Sequence, residues 1–214
     1  MAIFNKQNDL TIASLKENLI AIKYCLSYDK SSINQTEHGC LGIPATILMC
    51  SIIDTIGSYY RGSESIIQID DADYKIKCAE EHFYILNHMA YFNMNLSMET
   101  IKDFYSTYRS KLTHNSSLPA HNYLYFDKNQ EQSFHVDNNK KITQINLHSL
   151  SGRVDRATDE FIYHLGIATF SEQHKVSKEL KDSAKNNSIP IMSLPSPSGF
   201  THYDEYLKTD NKFF

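Results

Sequence analysis

SMETIKDFYSTYRSKLTHN, residues 97–115, is the stretch that decides the fold class. Ser97 followed by Met98, Glu99 and Thr100 reads as a helix start, with a hydroxyl at the cap and an acid in the first turn. Ile101, Phe104, Tyr105, Tyr108 and Leu112 then recur at steps of three and four. At about 100° per residue they share roughly 100° of arc, the width of a stripe facing a core. The helix stops in HNSSLP, residues 114–119.

Upstream, the same period continues. Asn8 to Tyr28 places Leu15, Leu19, Ile22 and Leu26 on one face. The loop SSINQTEHG follows, and Gly39 and Gly42 loosen its end. A second helix starts near Pro44, a residue comfortable in a first turn, and runs to Tyr60 before Arg61-Gly62-Ser63. Asp71 or Asp73 is expected to cap a third helix passing through Cys78, Phe83 and Leu86 to about Phe92. Four helices with short connections before residue 118 imply a bundle.

Downstream the pattern changes. Tyr123–Phe126, Ser133–Val136 and Ile142–Leu147 read as three short strands with turns at Asp127–Gln132 and Asp137–Lys141. They are expected to form a small antiparallel insertion over about 122–148. Ser149 or Ser151 then caps a fifth helix carrying Val154, Phe161, Leu165 and Ala168, with helical pattern to about Lys185. From Asn186, Pro190, Pro195, Pro197 and Gly199 break any regular element. The organisation is a mainly α domain over 1–185 and a tail over 186–214 that is extended, docked on a partner or disordered.

Composition sets the outer limits. A chain of 214 residues, 41% hydrophobic, fits one domain with a substantial core. A net charge of −4 argues against a strongly basic nucleic-acid binder but leaves room for a local cationic site. Cys25, Cys40, Cys50 and Cys78 form no CxxC, and reduced thiols are expected. His38-Gly39-Cys40 lacks a second ligand pair, so no metal and no other cofactor is expected. The N-terminal MAIFNKQNDL has no secretory pattern. The apolar run Ile47–Cys50 within Ile43–Tyr60 is broken by Ser51 and Asp54, so a buried core helix is expected, not a membrane span. The expected compartment is the cytoplasm.

Two polar stripes interrupt the apolar pattern. On the 97–115 helix, Asp103, Thr107, Ser110 and His114 fall opposite the core stripe, with Arg109 at its border. The face is either solvated or, given its small side chains, closely approached by another surface. On the second helix Ser51, Asp54, Thr55 and Ser58 recur at i, i+3, i+4 and i+7, and Arg61 extends the line. It faces solvent, or Asp54 faces a shared cleft and orients Arg109 or His114.

Arg109-Ser-Lys-Leu-Thr-His114, preceded by Tyr108 and followed by Asn115, resembles the R-x(4–6)-H motif of the HEPN superfamily. The helix carrying Ile53-Asp-Thr-Ile-Gly57 is similar to the equivalent helix of many bacterial members. The resemblance covers roughly residues 9–170, and it implies a HEPN-like helical bundle. It implies a metal-independent RNA endonuclease acting as a homodimer, a toxin or antiviral defence effector, with catalytic Arg109 and His114 in a composite cleft. Asp54 would then be an orienting group, and Tyr108, Ser110 and Asn115 supporting residues. Ser110 stands where many active members carry an amide or acid, and Ser116 where some toxins carry a modified Tyr. The other readings are a non-catalytic HEPN-like module that dimerises or binds a partner, its tail docking a protein, and a helical small-molecule binder.

Overall fold

A computed structural model describes residues 7–32, 38–115 and 117–166. Ala168, the extension to Lys185 and the tail over 186–214 lie outside the described residues. Within them the protein is mostly helical, with one two-stranded and one three-stranded sheet.

Helix α1 (Gln7–Ser27) buries Leu15, Ile22 and Cys25 against α2 (Gly42–Tyr59). The apolar sequence of α2 has the length and composition of a membrane span, yet nine of its residues are buried inside the protein. Met49, Ile52, Ile53 and Ile56 are fully enclosed, which makes α2 the central element. Pro44 sits within its first turn, where a missing N–H costs no helical bond. Cys25, Cys40, Cys50 and Cys78 are free thiols.

The helix expected from Asp71 or Asp73 to Phe92 is replaced by a hairpin and a 3-10 helix. Strands β1 (Ile67–Ile69) and β2 (Ala72–Tyr74) pair antiparallel around Asp70 and Asp71, whose φ angles are 49° and 61°. Two left-handed residues in a two-residue loop match the twist of the flanking strands, and Asp tolerates that conformation. The same residue type that caps helices therefore makes a turn here. The 3-10 helix Ala79–Asn87 follows, with residues 82–87 all buried. Asn87 anchors the loop after it, donating from Nδ2 to Leu96 O at 2.7 Å and accepting from Leu96 N at 2.7 Å.

The 97–115 segment is helical, and Ser97 caps it by accepting from Thr100 N at 3.2 Å. It is not one continuous α-helix. Helix α3 (Met98–Asp103) passes into a π-helical stretch, Phe104–Lys111, and then a single α turn, α4 (Leu112–Asn115). Ile101, Phe104, Tyr108 and Leu112 are buried as the spacing predicts, and Tyr105 is half-buried.

Strands β3 (Tyr123–Tyr125), β4 (Phe134–Val136) and β5 (Ile142–Asn146) fall where the alternation places them. Their arrangement differs from the expected antiparallel insertion. The order is β3-β5-β4, with β3 parallel and β4 antiparallel to β5. Helix α5 (Leu147–Gly166) starts directly from β5, ahead of Ser149 and Ser151, and buries Val154, Ala157, Phe161 and Leu165. Ser149 instead bonds Ser133 Oγ at 2.8 Å.

The sheet packs on the polar side of the π-helical stretch, so of the two readings of that face the closely approached one holds for Asp103 and Thr107. Asp103 and Thr107 are 8% and 6% exposed. Asp103 Oδ2 accepts from Ile142 N at 2.8 Å, and its Oδ1 accepts from Thr107 Oγ1 at 3.3 Å. The closely approaching surface is thus the protein's own sheet. Replacing Asp103 with Ala strands a buried N–H and should cost ~2 kcal/mol, the scale of an orphaned buried donor. Asp103→Asn, which keeps an acceptor, should lose less. Equal urea midpoints for Asp103→Ala and wild type would contradict this role.

Candidate active site

The polar stripe of α2 divides into two kinds of residue. Thr55 Oγ1 donates to Ser51 O at 2.8 Å and Ser58 Oγ to Thr55 O at 2.7 Å, so these hydroxyls are absorbed by their own helix. Asp54 reaches outward instead. Its Oδ2 accepts from Arg109 Nη2 at 3.1 Å, and its Oδ1 accepts from His82 Nδ1 at 2.7 Å. One carboxylate on the central helix therefore joins the π-helical stretch to the 3-10 helix.

Burial and bonding compete at Asp54. Desolvation pushes the carboxyl upward, but hydrogen bonds from His82 and Arg109, with the Arg109 charge, outweigh it and hold it below the ordinary carboxylate range. A group held lower in the folded state adds stability above its unfolded value and loses that contribution as pH falls through the folded value. The unfolded value is about 3.9. The stability gap between wild type and Asp54→Asn should therefore be full at neutral pH and shrink below about pH 4. A gap that stays constant from pH 7 down to about pH 3 would assign the effect to packing instead.

His82 was not foreseen as a site residue. Its side chain is 9% exposed, and Nε2 is enclosed with no hydrogen-bond partner among the described residues. The sequence signal was a His leading the apolar run Phe83-Tyr84-Ile85-Leu86. The 3-10 helix approaches α2 closely enough to deliver it because of Gly57. A Cβ there would lie 2.1 Å from His82 O and 2.7 Å from its carbonyl carbon.

Arg109 is oriented from two directions. Asp54 holds one nitrogen, and the guanidinium carbon lies 5.5 Å from the centre of the Tyr105 ring. Tyr105 in turn meets the edge of Phe83 with centroids 5.5 Å apart. The side chain remains 32% exposed, and Nε and Nη1 have no partner among the described residues. Those are the donors that matter, because a guanidinium fork fits a phosphate or carboxylate.

The remaining expected residues separate. His114, in α4, is exposed and makes no hydrogen bond or ion pair among the described residues. Five positions apart, an Arg and a His diverge around a regular α-helix, and the i→i+5 bonding of the π-helical stretch reduces that divergence over part of the interval. Ser110 is half-buried and Asn115 exposed. Tyr108, expected as a supporting residue, is packed into the core. It is fully buried, its hydroxyl donates to Ile142 O at 3.2 Å, and burial pushes its ionisation up to about 12. Burial likewise pushes the nearby Cys50 thiol upward.

No protein-family model, curated protein or solved structure matches the chain.

Proposed function

We propose that the protein is a HEPN-type RNA endonuclease working without a metal, its site centred on Arg109 and His114 and completed as a composite cleft in a homodimer. The observation that carries the reading is the state of Arg109: oriented by Asp54 and Tyr105, a third exposed, with donors unspent. A cation preset in this way stabilises charge as it develops, without reorganising at the moment of reaction.

The chemistry needs no external nucleophile. The ribose 2′-hydroxyl attacks the adjacent phosphorus, the P–O5′ bond breaks, and the products end in a 2′,3′-cyclic phosphate and a 5′-hydroxyl. One proton leaves the 2′-oxygen and one reaches the 5′-oxygen. His114 is an exposed imidazole that carries one of these transfers. Arg109 neutralises the phosphoryl oxygens, and Asp54, itself held by His82, keeps Arg109 in place. A toxin or antiviral effector is the setting the resemblance supports.

A second reading rests on His114 making no hydrogen bond or ion pair to Arg109 or Asp54, which bond each other. On it the protein is a HEPN-like module that dimerises or binds a partner without cutting anything. Incubation of the purified protein with RNA separates the two. The endonuclease cuts in EDTA, leaves cyclic phosphate ends, and fails on a strand carrying a 2′-deoxyribose at the cut. Intact RNA under every condition selects the binding module.

A further inference from the structure

Cys25 and Cys40 meet where α1 hands the chain to α2. The carbonyls of a helix's last turn have no partner within the helix. Cys25 O, in the last turn of α1, accepts instead from Leu41 N at 2.9 Å, and Leu41 stands at the N-cap position of α2. A second backbone bond, from Lys30 N to Gly39 O at 3.0 Å, closes the same connection from inside. With ordinary peptide dimensions, the Leu41–Cys25 bond sets the Cα atoms of Cys25 and Cys40 within about 6 Å of each other. A disulfide spans such a separation.

The two thiols differ in access. Cys25 is 8% exposed and belongs to the core, whereas Cys40 is half-buried and packs against it. Burial pushes both thiols above their ordinary range, and at Cys40 the nearby Lys30 charge opposes that push. A negative charge on Cys40 raises Cys25 further, so the two sulfurs lie within reach of each other's field. The Cys50 thiol, raised by burial, feels Arg109 and Asp54 instead.

We infer that Cys25 and Cys40 are a redox-responsive pair, closed reversibly into a disulfide by a small-molecule disulfide and clamping the end of α1 to the start of α2. The Cys40 thiolate attacks one sulfur of the oxidant, forming a mixed disulfide and releasing one small thiolate. The Cys25 thiolate then attacks the Cys40 sulfur, the protein S–S bond forms, and the second small thiolate leaves. The two protons given up by the cysteines go to the two released thiolates, and the oxidant is reduced by two electrons. The thiolate is the reactive form and both thiols are held high, so closure is slow near neutral pH. The closed ring runs from Cys25 to Cys40, sixteen residues, long enough to restrict the unfolded chain. No residue of the Asp54–Arg109 cluster takes part.

The test incubates the full reduced chain with excess oxidised glutathione below its melting temperature. Remaining thiols are alkylated, and the protein is unfolded and cut with trypsin without reductant. Trypsin cuts after Lys23, Lys30 and Arg61, so the expected product is peptide 24–30 joined to peptide 31–61, lighter than their sum by two hydrogens. Peptide 31–61 also carries Cys50, so Cys40→Ser, at the half-buried position, must abolish the link. The linked protein should melt about 6–12 °C above the reduced one. Dithiothreitol should reverse that rise, and Cys40→Ser should not show it. A link that persists in Cys40→Ser, a lasting glutathione adduct on Cys40, or four cysteines all still open to alkylation overturns the pair. A linked form that melts no higher than the reduced form overturns the clamp.

Discussion

Gly57→Ala should lower the melting temperature by about 6–12 °C, although Ala is the better helix former. Within a helix the exchange usually gains ~0.5–1 kcal/mol. At Gly57 the new methyl would sit 2.1 Å from His82 O and 2.8 Å from His82 Cα, so the obstacle is backbone and not a side chain that can rotate aside. Relieving it requires the 3-10 helix to move off α2, and overpacking of this kind costs ~3 kcal/mol or more. For a domain of this size each kcal/mol is worth about 2–4 °C. Gly152 supplies the contrast, because a Cβ there meets nothing within 4 Å and its φ is ordinary. Gly152→Ala in α5 should raise the melting temperature slightly. A Gly57→Ala protein melting within about 2 °C of wild type would show that the 3-10 helix moves freely, against this packing argument.

The same substitution reaches the site. His82 is carried by the backbone that would be displaced, so its 2.7 Å bond to Asp54 would be broken or lengthened with it. The Ile53-Asp-Thr-Ile-Gly57 segment thus has a physical reading. Asp54 supplies the carboxylate, and Gly57 supplies the space through which a partner for that carboxylate arrives.

How much of this was legible in the sequence depended on how local the cause was. The long helices and the stripe Ile101, Phe104, Tyr108 and Leu112 follow from periodicity alone, and so do the three strands after residue 122. Asp70 and Asp71 misled because Asp serves both as a cap and as a left-handed turn residue, and only pairing with Ile67–Ile69 decides between them. The parallel pairing of β3 with β5 is a long-range choice that no local pattern encodes. The π-helical stretch changes which residues share a face. Asp103 and Thr107 lie on a polar face that periodicity left either solvated or covered, and the sheet that seals it is a long-range partner. In the site, the polar stripe on a buried helix left Asp54 facing either solvent or a cleft with Arg109 or His114, and only the fold joins it to Arg109. His82 sat inside an expected helix that does not form, so nothing in its spacing pointed at Asp54.

Arg109→Ala and His114→Ala should each reduce RNA cleavage by at least about a hundredfold, the usual loss for one charge-stabilising or proton-transferring group. Their effects on folding should differ. His114 is exposed and unbonded among the described residues, so its removal should leave the melting temperature unchanged. Arg109 shares Asp54 with His82, so its loss leaves a half-buried carboxylate with one partner and a modest drop is expected. Arg109→Lys is the sharper variant. It keeps the charge, and an ammonium can still meet Asp54, so stability should return most of the way. Cleavage should not return, because a point charge cannot reproduce a planar fork that holds a carboxylate with one nitrogen and offers others to phosphate. Cleavage restored by Lys would reduce Arg109 to a bulk positive charge. Cleavage undiminished in both Ala variants would place the chemistry elsewhere in the chain. Light scattering on the wild type should give a dimer, and an active monomer would show that the cleft is complete in one protomer.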